Sequence, residues 1–217
     1  PFVVIAIFGW ISGYGMNTVI NEIQGIQSVA KFTFLLSIAS ISQMIASAMN
    51  TVWGPRFIAL NNAGLHDEAE MKNKQFCNIQ AIILGLIGIV TILLVQVMGT
   101  YYEKLTIYTK EKTELALLLS SYLVAIPWWQ VTPYYLVNNQ GKRFMQNLLL
   151  SCVVGLIFWI LFMIFFGPFG IYVGFFINTL IKAGFLWFDA RKTWQVNNIW
   201  HICLTVALMV IIFSVIF

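Results

Sequence analysis

The stretch GIQSVAKFTFLLSIASISQMIASAMNTVWGPRF, residues 25–57, is long enough to cross a bilayer and carries polar and small residues at steps of three and four. Those steps keep side chains on one face of a helix. The residues concerned are Thr33, Ser37, Ser40, Gln43, Ser47, Asn50 and Gly54. A membrane helix that is polar on one side turns that side to a neighbouring helix or to a polar cavity. We expect a cavity, because the polar face runs the full length of the helix.

The composition indicates an integral membrane protein. Of 217 residues, 60% are hydrophobic and 9% are charged, and the mean hydropathy is +0.85. A soluble domain carries about 25% charged residues. The apolar runs are continuous rather than alternating, which favours helices over the strands of a barrel. We therefore predict an all-α, polytopic bundle of about seven transmembrane helices.

Apolar runs of about 20 residues, the length that a bilayer requires, define the predicted spans. They cover approximately residues 2–20, 32–54, 77–99, 114–137, 146–166, 170–188 and 198–217. Pro55 is expected to end or kink the second span, and Pro127 and Pro133 to interrupt the fourth. The polar segment 61–75 is expected to form a short exposed helix outside the membrane, with Glu–Lys pairs at i,i+4.

The basic residues lie in short links, which predicts an orientation. Taking alternate links, one side collects eight of the 12 Lys and Arg residues and the other collects four. Cytoplasmic links carry the excess of positive charge. The first helix is therefore expected to start in the cytoplasm. Because the sequence begins and ends within apolar runs, we expect it to be the C-terminal part of a longer protein.

The sequence offers little for catalysis, metal binding or nucleic-acid binding. Cys77, Cys152 and Cys203 lie singly in apolar surroundings and are expected to be packing residues. His66 and His201 have no catalytic partners at a recognisable spacing, and no phosphate-binding glycine loop is present. No basic run resembles a nucleic-acid site. We expect neither enzymatic activity nor a cofactor or metal.

The remaining polar residues near the spans are candidates for a substrate path. Ser40, Gln43, Ser47 and Asn50 belong to the polar face, and Gln130 lies between the two prolines of the fourth span. Lys31 and Arg56 lie at opposite ends of the second span, where they anchor it or mark the entrance and exit for an anion. Lys182 lies inside the sixth span and either snorkels to the headgroups or contributes to function.

The chain resembles polysaccharide flippases of the Wzx type, which belong to the superfamily of the MATE exporters and lipid II flippases. The run GIQSVAK at 25–31 is similar to that family's start of its eighth helix, and MNTVWGPRF at 49–57 is similar to its end. GPFGIYVGFFINTLIKA at 167–183 resembles the hairpin that leads into its twelfth helix. Two departures are the absence of charge between Phe2 and Asn21 and a glutamine, Gln27, where tyrosine is usual.

The resemblance implies that residues 1–194 form the six-helix C-terminal lobe of a transporter and that 195–217 add a further transmembrane helix. It implies a flippase for a polyprenyl-pyrophosphate-linked oligosaccharide, an O-antigen or capsule repeat unit, in a bacterial inner membrane. The implied partners are that substrate, membrane lipid, an N-terminal lobe of the same transporter and polysaccharide assembly proteins.

Three other functions stay open from the residues alone. A purely structural membrane subunit would have the polar face of the second helix filled by partner side chains. A MATE-like exporter of small cations would require a buried carboxylate, and none lies deep in a predicted span. A membrane-embedded glycan polymerase or glycosyltransferase would require a large outer loop with charged residues. The longest outer link is the segment around Tyr101–Thr113.

Overall fold

The regular structure that can be described is entirely helical. The computed structural model describes residues 15–101, 111–194, 196 and 199–216. The helices are α1 Met16–Gln24, α2 Ile26–Asn62, α3 His66–Tyr101, α4 Lys112–Val124, α5 Ile126–Val137, α6 Gly141–Trp194 and α7 Ile199–Ser214. The prediction of an all-α protein is confirmed for this part of the chain.

Within the described residues, four helical segments are long and apolar enough to cross a membrane. They are Ile26–Asn62, His66–Tyr101, the consecutive pair Lys112–Val137, and Gly141–Trp194. A shorter apolar helix covers His201–Ser214. Most of the first predicted span, 2–20, lies outside the described residues. The long apolar helices agree with a multi-pass membrane protein, and the predicted count of seven stays a prediction.

α2 is longer than the second predicted span at both ends. Gly25 separates it from α1 with φ 82° and ψ 165°, a left-handed φ that glycine adopts without strain. At the other end the helix continues through Pro55 to Asn62, so the expectation that Pro55 ends it is wrong. A proline removes one backbone donor and strains the preceding turn, a cost that membrane helices tolerate where neighbours compensate.

The polar segment 61–75 does not form a separate helix, so that expectation is wrong: residues 61–62 end α2, and 66–75 form the first turns of α3. The expected i,i+4 ion pairs are present, at 2.5 Å for Lys72 with Glu68 and 2.5 Å for Lys74 with Glu70. These pairs lie on the exposed side, whereas Asn73 on the same turns is fully buried. One side of this segment is therefore solvated and the other belongs to the bundle.

The α4–α5 segment is the most buried of the long helical segments and lies at the centre of the described bundle. In this segment, 72% of the most apolar 18-residue stretch is buried, compared with 28–33% of the corresponding stretch in each of the other three long segments. α4 and α5 are separated at Ala125, just before Pro127, as the sequence predicted. The proline lacks the N–H that would bond back to Leu123, so the helix breaks at this point. In contrast, α5 continues through Pro133 to Val137, so the interruption expected at Pro133 is wrong.

α6 is a tight antiparallel hairpin with its turn at Gly167, where φ is 61° and ψ is −143°. The helix arms 141–166 and 168–194 approach so closely that a Cβ atom at Gly170 would lie 2.0 Å from the carbonyl oxygen of Phe162. The indole Nε1 of Trp159 donates to the carbonyl oxygen of Ile171 at 2.8 Å across the same contact. The predicted tight link at GPFG is therefore present.

Glycines of α3 also allow α7 to pack closely against the bundle. Leu208 of α7 packs over Gly85 of α3, and Ile212 packs over Gly88 one turn further on. The prediction that all three cysteines are packing residues holds for Cys77 and Cys152, which are buried, but not for Cys203, which is exposed. Its position on the outer side of α7 explains the difference.

Aromatic contacts place the C-terminal ends of α2, α5 and α6 at the same end of the bundle. Phe57 of α2 packs on Tyr134 of α5 at 4.8 Å between ring centroids, and Tyr134 packs on Trp194 of α6 at 6.0 Å. Arg143 also lies at this end, because it bonds Asp189. Lys31 lies at the opposite end, where it pairs with Glu111. Basic residues that the charge count assigned to one side of the membrane, such as Arg143, therefore lie at one end of the bundle. Lys31, which it assigned to the other side, lies at the opposite end.

We predict that Gly170→Ala destabilises the hairpin. The added methyl group would collide with backbone atoms, and overpacking of this kind costs about 1–3 kcal/mol. The free energy of unfolding is measured by thermal or denaturant unfolding of the detergent-solubilised protein.

Gly184→Ala is the matched control, since a Cβ at Gly184 on the same arm meets nothing within 4 Å. It is expected to leave stability unchanged or to raise it by about 0.5–1 kcal/mol. Equal stability of the two variants would show that the arms do not approach as described.

Candidate functional site

The polar face of α2, defined by Thr33, Ser37, Ser40, Gln43, Ser47, Asn50 and Gly54, lies on the outer surface of the described bundle. Thr33, Ser37, Gln43 and Ser47 are exposed, and the other three are half-buried. Leu35, Ala39 and Ala46 are fully buried, and the last two lie four residues from Gln43 and Asn50, so the buried side of α2 begins at that edge of the polar face. The other edge, at Thr33 and Ser37, is exposed and points away from the described helices.

Most hydrogen bonds of this face stay within α2. The Ser37 hydroxyl donates to the Thr33 carbonyl at 2.7 Å, the Ser40 hydroxyl to the Ser37 carbonyl at 2.7 Å, and the Asn50 amide to the Ala46 carbonyl at 2.7 Å. Side chains that bond back to their own helix satisfy their donors without water. Their oxygen lone pairs can still accept bonds from a molecule alongside the helix.

Gln43 is the member of the face that reaches a neighbouring helix. Its Oε1 accepts a hydrogen bond from the Tyr122 hydroxyl of α4 at 3.4 Å. No described residue engages its Nε2, so the amide keeps two donors on an exposed side chain. Gln43 is thus placed at mid-helix with both a structural contact and free hydrogen-bonding capacity.

An apolar arc borders the polar face on the same outer surface. Ile41 and Val52 form this arc and are 48% and 60% exposed, whereas Met44, 70% exposed, lies between Ser40 and Ser47 on the polar face itself. One helix therefore presents two exposed arcs of opposite chemistry, one suited to water or a polar ligand and the other to lipid.

Lys31 and Arg56 do not extend the polar face, although the sequence suggested that they mark its ends. Lys31 is two residues from Thr33, and Arg56 is two residues from Gly54, which is about 200° around a helix. Lys31 instead forms an ion pair with Glu111 near the start of α4. Arg56 lines a groove on another side of α2.

That groove, called the basic groove below, lies between the last turns of α2 and the first turns of α3. It has a volume of about 460 Å³ and is lined by Trp53, Arg56, Ala59, Leu60, Ala63 and Lys72. Arg56 has no carboxylate partner among the described residues, whereas Lys72 pairs with Glu68. The groove is mainly apolar with two cations at its edge.

Gln130 and Lys182 lie inside the bundle rather than on the polar face. Gln130 is 3% exposed, and neither atom of its side-chain amide has a partner among the described residues. Lys182 is 9% exposed, so its stem does not run along the lipid-facing surface as snorkelling would require. The eight candidate residues therefore do not converge: four share the polar face, two lie at opposite ends of α2, and two are interior.

Sequence reasoning missed the buried amides of α3. The Trp53 indole donates to Asn73 Oδ1 at 2.7 Å, and Asn73 Nδ2 donates to the Gln130 carbonyl at 3.2 Å. One step of seven residues further along, Gln80 Nε2 donates to the Ala46 carbonyl at 3.3 Å. These bonds join α2, α3 and α5. The seven-residue spacing was the available signal, since it places both amides on one helix face.

A second polar network, also not anticipated, closes the end of the α6 hairpin. Arg143 donates to Asp189 Oδ1 at 2.5 Å and to the Thr193 hydroxyl at 2.8 Å. The Tyr135 hydroxyl of α5 donates to Asp189 Oδ2 at 2.6 Å. Asp189 therefore links both arms of α6 to α5.

The helices and surfaces together define a class: an all-α, multi-pass membrane protein with a polar helix face exposed on its bundle. No family model, curated protein or solved structure matches the chain. The residue patterns and the geometry described above are accordingly the basis for a functional proposal.

We predict that Asn73→Ala destabilises the packing of α2 and α5 on α3. The substitution removes two interhelical bonds and leaves the Trp53 N–H without its acceptor, a loss of about 1–3 kcal/mol. Unfolding of the detergent-solubilised variant measures the change. Asn62→Ala, at an exposed position near the end of α2, is the control and should be within about 0.5 kcal/mol of the parent protein. Similar stabilities for both variants would contradict a structural role for Asn73.

Proposed function

We propose that this chain forms the second lobe of a transporter that flips a polyprenyl-pyrophosphate-linked oligosaccharide across the bacterial inner membrane, with its first helix starting in the cytoplasm. Two lobes that rock about a central site would expose it alternately to each side of the membrane. The proposal is supported by the resemblance of residues 25–57 and 167–183 to Wzx-type flippases and by the multi-pass helical architecture.

The observation that carries the proposal is the outward direction of the polar face of α2. A cavity between two lobes needs a polar surface on the outside of each lobe. The exposed residues Thr33, Ser37, Gln43 and Ser47 supply such a surface, while the apolar arc beside it suits the lipid.

The chemistry of the polar face fits the sugar part of such a substrate better than its pyrophosphate. The face carries hydroxyls and amides but no charge. Sugar hydroxyls donate and accept hydrogen bonds, as do Ser, Thr, Gln and Asn side chains. Lys31 is held by Glu111, and Arg56 lies on another side of α2, so the pyrophosphate would be bound by residues other than these two.

We expect single cysteines at Gln43 and Ser47 to react with a membrane-impermeant thiol reagent in membranes containing the native protein. Cys203 must first be replaced, because it is exposed, and Cys77 and Cys152 are replaced with it. The physical reason is that side chains along an aqueous path are hydrated, whereas those facing lipid are not. Labelling is read by mass shift.

Cysteines at Ile41 and Val52 are the controls, since both are exposed on the apolar arc of the same helix. They should stay unlabelled. Labelling of both arcs would place the whole exposed surface of α2 in water, and labelling of neither would make the polar face a dry helix contact. Either result contradicts the proposed path.

We also predict that Gln43→Leu lowers export of the lipid-linked oligosaccharide severalfold. It removes the amide donors from mid-path and the acceptor for Tyr122. Surface display of polysaccharide in complemented cells measures export, normalised to the amount of protein in the membrane. Ile41→Leu, two residues away on the apolar arc, should export normally. Equal export by both variants would remove Gln43 from the path.

A further inference from the structure

The basic groove combines an apolar lining with cations at its edge. Trp53, Leu60, Ala59 and Ala63 supply the apolar surface, and Arg56 and Lys72 supply the charge. Trp53 is held in place by its bond to Asn73 at 2.7 Å and by stacking on Phe76 at 5.1 Å between centroids. The groove is therefore a fixed surface for an amphipathic ligand rather than a loose gap.

The surrounding charges leave Arg56 available. Lys72 pairs with Glu68 at 2.5 Å and Lys74 pairs with Glu70 at 2.5 Å, while no described carboxylate pairs with Arg56. Asp67 precedes Glu68 in the first turn of α3, and His66 bonds the side chain of Asn61 at 3.0 Å. An anion in the groove would meet an unpaired guanidinium and an ammonium that retains further donors.

The position of the groove limits the kind of anion. It lies between α2 and α3 where both helices leave their apolar stretches, and tryptophan is enriched at that level of a membrane. A membrane lipid presents a phosphate at this depth and apolar chains beside it. A small soluble anion would gain nothing from the apolar lining, which makes up most of the groove.

We propose that the basic groove binds the phosphate headgroup of an anionic membrane lipid. Arg56 and Lys72 bond the phosphate oxygens, and the glycerol and upper acyl segments pack against Trp53 and Leu60. This site is separate from the polar face of α2, so it does not rest on the proposed transport function.

Native mass spectrometry of the detergent-purified chain, titrated with phosphatidylglycerol, tests the proposal. We expect one retained lipid, with affinity about tenfold lower in Arg56→Gln, the change that loss of a charge-assisted hydrogen bond produces. Lys72→Gln should also weaken binding. Phosphatidylcholine, which has no net charge, should be retained more weakly by the parent protein than phosphatidylglycerol.

Lys74→Gln is the matched control, because Lys74 has the same i,i+4 ion pair as Lys72 but does not line the groove. It should bind phosphatidylglycerol like the parent protein. An equal loss of phosphatidylglycerol affinity in Lys72→Gln and Lys74→Gln would show that binding depends on general surface charge rather than on the groove. That result would overturn the site. Binding of inorganic phosphate alone, with the affinity of the lipid and the same dependence on Arg56, would overturn the assignment to lipid.

Discussion

Close packing of helix on helix is the constraint on which this structure depends. Between helices in lipid there is little hydrophobic driving force, because acyl chains are as apolar as leucine, so association relies on van der Waals contact and interhelical hydrogen bonds. The α6 hairpin meets this requirement with glycine. Gly155 accommodates the side chain of Asn178, and Gly170 and Gly174 let the second arm approach the backbone of the first.

The buried α4–α5 segment shows how the remaining helices use this contact. Its side chains are covered on nearly all sides, including the fully buried Leu118, Leu123 and Ile126. Polar bonds then fix the register at particular levels, from Trp53–Asn73–Gln130 to Tyr135–Asp189–Arg143. Apolar contact supplies the attraction between these helices, and the few polar pairs determine which rotation of each helix is selected.

The sequence predicted the helical class, the break at Pro127 and the hairpin at Gly167, because each follows from local chemistry. Hydropathy reports the length of an apolar run, and proline and glycine act on their own turn. The sequence could not predict which helix is central. Residues 112–137 carry polar side chains such as Ser120, Ser121 and Gln130, but α2 does so too, and only contacts with other helices separate the central segment from the peripheral one.

The direction of the polar face of α2 was likewise beyond the sequence. Periodicity places Ser40, Gln43 and Ser47 on one side of the helix but does not say whether that side faces inward or outward. Helical rotation also separates Arg56 from the face, although the two are adjacent in the chain. Lys182 illustrates a third limit: a lysine near a helix end can reach the interface or be enclosed, and the neighbouring arm of the hairpin decides which.

The α6 hairpin has a consequence for how the protein enters a membrane during synthesis. No charged residue occurs between Arg143 and Lys182, and the turn at Gly167 is flanked by the exposed aromatic residues Phe165, Phe166 and Phe169. The turn itself can therefore cross the bilayer without dehydrating a charge, since transfer of charged side chains is what makes loop translocation costly. Lys182, further along the second arm, is enclosed within the bundle. The two arms can therefore enter the membrane together as one hairpin, with the turn at Gly167 leading.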